Sequence, residues 1–152
     1  MTAIHHVVSI NAPVAKVYEA LSSPDKIGTW WAQHTAIQTD RGLILEHNPG
    51  PEHGVVQLRV VELVPNKRVE WECISVHPKT SPASAWTGTH FIFELAERAD
   101  SPGAGRDQVR TTTVDFQQVG YDERSEYFES NRAAWREVLQ DLKQVHESPL
   151  NQ

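Results

Sequence analysis

Five tryptophans, eight histidines and one cysteine offer this chain of 152 residues most of its chemistry. The tryptophans are Trp30, Trp31, Trp71, Trp86 and Trp135. A covered aromatic side chain removes about 150–250 Å² from water, worth several kcal/mol at ~25 cal/mol per Å². The rings therefore belong in a core, at an interface or around a ligand. Packing in a core is the ordinary use of such residues; an aromatic wall around a bound apolar molecule is the functional one. Trp30 and Trp31 are adjacent, so both rings cannot easily share one environment, and one of them is expected at a cavity mouth.

Gln118, Tyr121, Tyr127 and Asn131 are the polar candidates. Asn131 lies four residues from both Tyr127 and Trp135, on the apolar stripe of a helical pattern. A buried amide left unpaired costs about 1–3 kcal/mol. Asn131 and Gln118 therefore either satisfy each other and nearby backbone or orient the polar end of a ligand. Cys73 follows Trp71 on the inward face of a strand, where a free cysteine is usually a small buried hydrophobe. His5 and His6 are neighbours in a strand and point to opposite faces. His47 and His53 flank one loop and can approach each other. There is no strand HxH, no HExxH and no second cysteine, so neither a metal site nor a cofactor is expected. Glu70, Glu72, Glu94 and Asp115 fall on the outward phase of their strands and read as a solvated surface. No catalytic residue is singled out.

These side chains need a scaffold, and the hydrophobic spacing supplies one. A first strand covers Ile4 to Ile10. Asn11 and Pro13 then open a helix with Val14, Val17, Tyr18 and Leu21 on one side. Pro24 to about Thr29 forms a second, short helix. Strands follow at Ala36 to Thr39, Leu43 to His47, Val55 to Val64, Arg68 to Val76, Trp86 to Leu95 and Gln108 to Gln118. Asp40-Arg41-Gly42 and Pro65-Asn66-Lys67 mark tight turns, and residues 48–54 a Pro/Gly-rich hairpin loop. Phe91 and Phe93 share the inward face of one strand; Phe116 and Gln118 share that of the next. His77 to Ala85 is expected as a mobile flap, and Ala96 to Asp107 as a mobile polar connection.

Arg124 to His146 reads as one long amphipathic helix, with Tyr127, Asn131, Ala134, Trp135, Val138, Leu142 and Val145 at three- and four-residue steps. Pro149 follows it, and residues 148–152 are expected to fray. The pattern implies one α+β domain over residues 1–147. About seven antiparallel strands form a curved sheet around a long C-terminal helix, with two short helices after the first strand. Only that helix, some 30–35 Å long, is long enough to cover the apolar face of the sheet.

The formal net charge is −6 and no basic run occurs, which argues against a nucleic-acid partner. No stretch approaches the ~20 apolar residues of a membrane span. A lone cysteine fits a reducing compartment, and a cytoplasmic location is expected.

The order of elements and several local signatures resemble the START/Bet-v-type (SRPBCC) superfamily, and within it the activator of 90 kDa heat shock protein ATPase homologue branch. The matching residues are Asn11-Ala12-Pro13 with Val17 and Leu21, Pro24 and Ile27 ahead of Trp30-Trp31, and Val60 to Pro65 with Arg68, Val69 and Trp71. Gly88-Thr89 with Phe93 and Leu95, Gly120-Tyr121, and Trp135 with Leu139 and Leu142 complete them. The resemblance spans roughly residues 4 to 145 and implies a helix-grip fold. That fold hosts lipid carriers, cyclases, aromatase-like proteins and co-chaperone domains. The family often has histidine near the end of the last strand; Gln118 stands there, a departure that counts against any acid-base role borrowed for the position.

The leading expectation is binding of an apolar, lipid-like or small aromatic ligand in a cavity between sheet and helix. Trp30, Trp31, Trp71, Cys73, Trp86, Phe91, Phe93, Phe116, Gln118, Tyr121, Tyr127, Asn131 and Trp135 line that cavity in this reading, and alanine at Trp71 or Trp135 is expected to weaken binding without unfolding the chain. A polyketide cyclase- or hydratase-like enzyme is the second expectation, weakened because no inward Asp, Glu or His is evident. A co-chaperone-like regulator of a heat-shock ATPase is the third and rests on the resemblance alone. Exposed aromatic surface leaves room for a homodimer.

Overall fold

The computed structural model describes residues 2–99, 110–121 and 125–147 of the chain. Seven strands pair antiparallel in one sheet, in the order β1-β7-β6-β5-β4-β3-β2. They are β1 (Thr2–Ile10), β2 (Thr35–Thr39), β3 (Gly42–His47), β4 (Val56–Val64), β5 (Arg68–Cys73), β6 (His90–Ala99) and β7 (Arg110–Tyr121). Helices α1 (Val14–Ser22) and α2 (Pro24–Ile27) follow β1, and α3 (Phe128–Glu147) ends the described chain. This is the helix-grip fold: the curved sheet wraps α3, which packs along β1 and on a 3-10 turn at Pro82–Ala85. Among the described residues, no helix is long and apolar enough to cross a membrane.

Alternation explains the inner face. Val69, Trp71 and Cys73 of β5, Phe91, Phe93 and Leu95 of β6, and Thr112, Val114, Phe116 and Gln118 of β7 are all buried. They meet Asn131, Trp135, Leu139 and Leu142, the buried stripe of α3. Steps of four, four and three residues keep these four on one side of a helix with 3.6 residues per turn. On the outer face the acidic residues are paired. Arg68 bridges Glu62, Glu70 and Glu94, each at 2.8 Å, and Arg59 binds Glu72 at 2.9 Å.

Several boundaries differ from the sequence expectation. β5 stops at Cys73 rather than Val76, because the Cys73 carbonyl accepts from Gly88 N–H and closes off the crossover. β6 begins at His90, not Trp86: Pro82 starts a 3-10 turn, and Trp86 caps its end. Ala96 to Ala99 belong to β6, paired with Thr113 to Arg110, so the polar connection begins later than expected. The rest of that connection and the tail from residue 148 lie outside the described residues, as does Arg124. β7 runs on to Tyr121, whereas Gln108 lies outside the described residues. The long helix starts at Phe128, leaving Tyr127 in the turn before it. Asn11 does not cap α1: Pro13 holds the cap position, and the first helical N–H, of Val14, donates to Glu97 of β6 at 2.8 Å.

One irregularity positions the site. Gly120 has φ +95°, a left-handed value that costs glycine little and other residues much. It accompanies a register shift between β7 and β1, where Ile4 faces Gln118 but Thr2 faces Tyr121. The bulge resets the alternation, so Gln118 and Tyr121, three residues apart, both turn inward.

Candidate functional site

The space between the middle of the sheet and α3 is filled by rings. Trp135 stacks on Phe116 at 4.5 Å between centroids and lies 5.5 Å from Phe91. Phe93 sits 5.1 Å from Trp71 and 5.0 Å from Phe116. Trp30 closes the α2 side, its indole N–H donating to the Ala20 carbonyl at 2.7 Å. Trp30, Trp71, Phe91, Phe93, Phe116 and Trp135 are thus core, and Cys73 is buried beside them. Burial pushes the Cys73 thiol up, so it is no ready nucleophile.

Open volume begins where this block ends. A cleft of about 230 Å³ is walled by Trp31, Trp86, Val56, Pro49, Pro82 and Ala83, with His47, His53 and Asn131 as its polar members. A pocket of about 50 Å³ runs from Trp31 and Trp86 to Trp135 and Val138 of α3. Trp31 is the hinge between sealed core and open cleft. Its ring lies 6.1 Å from Trp71, 5.0 Å from Trp135 and 6.2 Å from Trp86. Of the adjacent tryptophan pair, Trp30 is sealed and Trp31 is half-exposed at the mouth. Larger grooves lie elsewhere, such as one of about 700 Å³ beside Lys79, Glu126 and Tyr127, but their linings are mainly polar. Tyr127 belongs to that outer groove, its hydroxyl donating to the Lys79 carbonyl at 2.7 Å. It does not join the aromatic site, contrary to the expectation, because α3 begins only after it.

Behind the cleft, three buried polar atoms have no hydrogen-bond partner: Trp86 Nε1, Gln118 Oε1 and the Tyr121 hydroxyl. Gln118 and Tyr121 are 0% exposed. Gln118 spends its amide N–H on Thr89 Oγ1 at 2.9 Å, which leaves its oxygen bare. Burial pushes the Tyr121 hydroxyl well above the usual phenol range, and its polar neighbours Asn131 and Trp86 pull the other way. Asn131 Nδ2 donates to the Pro82 carbonyl at 3.3 Å and ties α3 to the 3-10 turn. Each orphaned atom costs about 1–3 kcal/mol, so this corner is built at a loss unless another polar group enters it.

Histidines missed as a group frame the mouth. His34 Nδ1 donates to the Ala32 carbonyl at 2.6 Å, and His47 Nδ1 lies 2.8 Å from His34 Nε2. Trp31 covers both imidazoles, at 4.9 and 5.2 Å. Burial, then the neighbouring His34 and His77, push His47 down to about 4. Burial lowers His34 too. His53 Nδ1 meets Ser81 Oγ at 2.6 Å. His77 Nδ1 donates to the His53 carbonyl at 2.7 Å, and its Nε2 lies 2.7 Å from Ser75 Oγ. These bonds pin residues 75–81 to the β3–β4 loop, so the expected mobile flap is a strapped wall of the cleft. Ser75 and His77 have nucleophile–base spacing. Both residues are buried, however, and neither lines the cleft. Among the described residues, no three His, Cys, Asp or Glu converge on a metal-sized site.

Residues 11–147 match the family model described as Activator of Hsp90 ATPase homolog 1-like protein. No curated protein matches the chain in sequence. Among solved structures, the Aha1 dimer from Colwellia psychrerythraea is similar at 25% identity and TM-score 0.73, over 97% of this chain and 98% of that one. CalU16 from Micromonospora echinospora shares the fold at 14% identity and TM-score 0.68, over 98% of this chain and 78% of that one. DynU16, a putative protein in the dynemicin biosynthetic locus, shares it at 20% identity and TM-score 0.63; the match covers 96% of this chain and 47% of that longer one.

Proposed function

The chain belongs to the Activator of Hsp90 ATPase homolog 1-like family, and from that premise we propose that it binds a flat, mostly apolar small molecule in the cleft beside Trp31 and Trp86. The observation that carries this reading is the set of three orphaned polar atoms behind an aromatic wall. A core built only for stability loses free energy there; a ligand with one polar end recovers it. The apolar body stacks on Trp31 and Trp86. The polar end reaches Asn131 and, once Trp86 shifts, Gln118 and Tyr121. The cleft is small beside typical ligand sites of ~300–1,000 Å³. The ligand is therefore compact, or Trp31 swings out to admit it.

The aromatic lining by Trp31 and Trp86 supports a ligand of aromatic, polyketide-like character. The sealed rings around Trp71 and Trp135 leave a long lipid chain no room. A cytoplasmic setting and a homodimer like that of the Colwellia protein belong to the same proposal. The test is an NMR titration that follows the five tryptophan indole N–H signals against flavonoids, polyketide-like aromatics and lipids. The reading expects Trp31 and Trp86 to shift first with an aromatic ligand. Signals unmoved across the panel would remove it.

The family description itself favours a second reading, regulation of a heat-shock ATPase. It expects the purified chain to change the ATPase rate of its cognate chaperone, and an unchanged rate at saturating protein sets it aside.

A further inference from the structure

The geometry points to a hydroxylated aromatic as the ligand, its O–H donating to Nε2 of His47; this rests on the cleft reading above. The argument is one of proton counting. A carbonyl can only accept, so the bond from His34 to Ala32 fixes the proton of His34 on Nδ1. The Nε2 of a neutral His34 is then bare, and the 2.8 Å contact requires His47 to donate from its own Nδ1. A neutral His47 with its proton on Nδ1 has a lone pair on Nε2. His47 lines the cleft, and no described residue bonds that nitrogen. The carbonyl–imidazole–imidazole chain thus holds an acceptor at the mouth and polarises it, as linked hydrogen bonds do.

The aromatic lining beside His47 suits the same partner. Trp31 and Trp86 give the cleft an aromatic lining for an aromatic body, and burial in the company of His34 and His77 keeps His47 from taking a proton of its own. The groups facing the pair are His77 from the crossover and His53 with Glu52 from the β3–β4 loop; the Glu46 carboxylate, next in β3, is engaged by the Gln57 amide. None supplies a fixed positive charge, so the site selects a neutral hydroxyl over a phenolate or carboxylate.

Naphthol, naphthalene and methoxynaphthalene test this, titrated by NMR with the tryptophan and imidazole signals as readouts. Naphthol should bind the wild-type chain at pH 7 about three- to tenfold more tightly than either analogue, the range of one net hydrogen bond. The imidazole ¹⁵N shifts should report Nδ1–H tautomers at both His34 and His47. The preference should vanish in His47→Phe, survive in part in His47→Gln, whose carbonyl still accepts, and fade in the wild type toward pH 4. Equal binding of the three compounds, or a preference that persists in His47→Phe, overturns the inference and leaves the ligand-binding reading standing. Failure of all three to bind removes both. Should His47→Phe not fold, the tautomer and pH readouts on the wild-type chain decide alone.

Discussion

Two regions use the same residue types and end differently. In the block around Trp135, every ring meets another: Phe116 at 4.5 Å, Phe91 at 5.5 Å, and Phe93 at 6.4 Å on a further side. At the cleft, Trp31 and Trp86 touch that block and also border open volume. The polar partners differ in the same way. Trp30, in the block, gives its indole N–H to a carbonyl; Trp86, at the cleft, gives its own to nothing. On the proposed reading, removing a ring from the block should cost stability and removing one from the cleft should cost affinity.

The sharpest way to break this contrast is Trp135→Ala. We expect a loss of about 3–5 kcal/mol in urea unfolding, because the ring is enclosed and its neighbours cannot collapse into so large a hole. Trp71→Ala should behave alike. Burial of both reverses the expectation that either could be removed without unfolding the chain. A loss below about 1 kcal/mol at both positions would show that the block is loosely packed.

Next in size is pH. The folded state holds His47 near 4, below its ordinary 6.5, so it favours the neutral imidazole. This stability is complete above about 6.5 and is lost as pH falls toward 4, because the unfolded chain then binds a proton that the folded chain refuses. A depression of this size is worth about 2–3 kcal/mol. Urea midpoints between pH 7 and 4.5 should fall in the wild type and fall less in His47→Phe. Identical slopes would mean that the imidazole pair does not carry the effect.

Trp31→Ala should cost less, about 1–2 kcal/mol, since the ring is only half-buried, yet it should abolish binding of aromatic probes. An unchanged affinity would detach the cleft from function. The smallest effect is expected at Tyr121→Phe. It removes an orphaned hydroxyl and should be neutral or stabilising, by up to about 1 kcal/mol, in thermal unfolding without ligand. A clear loss would mean that the hydroxyl has a partner after all.

The fold was legible because its signals are local. Alternation at Val69, Trp71 and Cys73, and three- and four-residue steps through Asn131, Trp135, Leu139 and Leu142, mark faces without knowledge of any partner. Of the boundaries that shifted, the one at Ala96 is set by pairing with distant Thr113, and those at Trp86 and Tyr127 by local turns that the periodicity does not register. The site was legible in part. Asn131 and Gln118 were named by phase and Trp31, Trp86 and Tyr121 by residue type alone, since the bulge at Gly120 that turns Tyr121 inward interrupts the alternation; Tyr127 fell elsewhere and His34 was overlooked. His34 reaches His47 only because β2 and β3 fold into a hairpin, and no local pattern announces that pairing.

Most inward positions are written in the chain as helical and strand periods, from which Tyr121, turned by the bulge at Gly120, departs. Which inward rings fill space and which border it is settled by folding. That depends on how far the sheet curves from α3 at each level, a quantity summed over seven strands and a bulge at Gly120. Proton positions in the imidazole chain were likewise beyond any pattern, because each is dictated by an acceptor that folding alone brings into range.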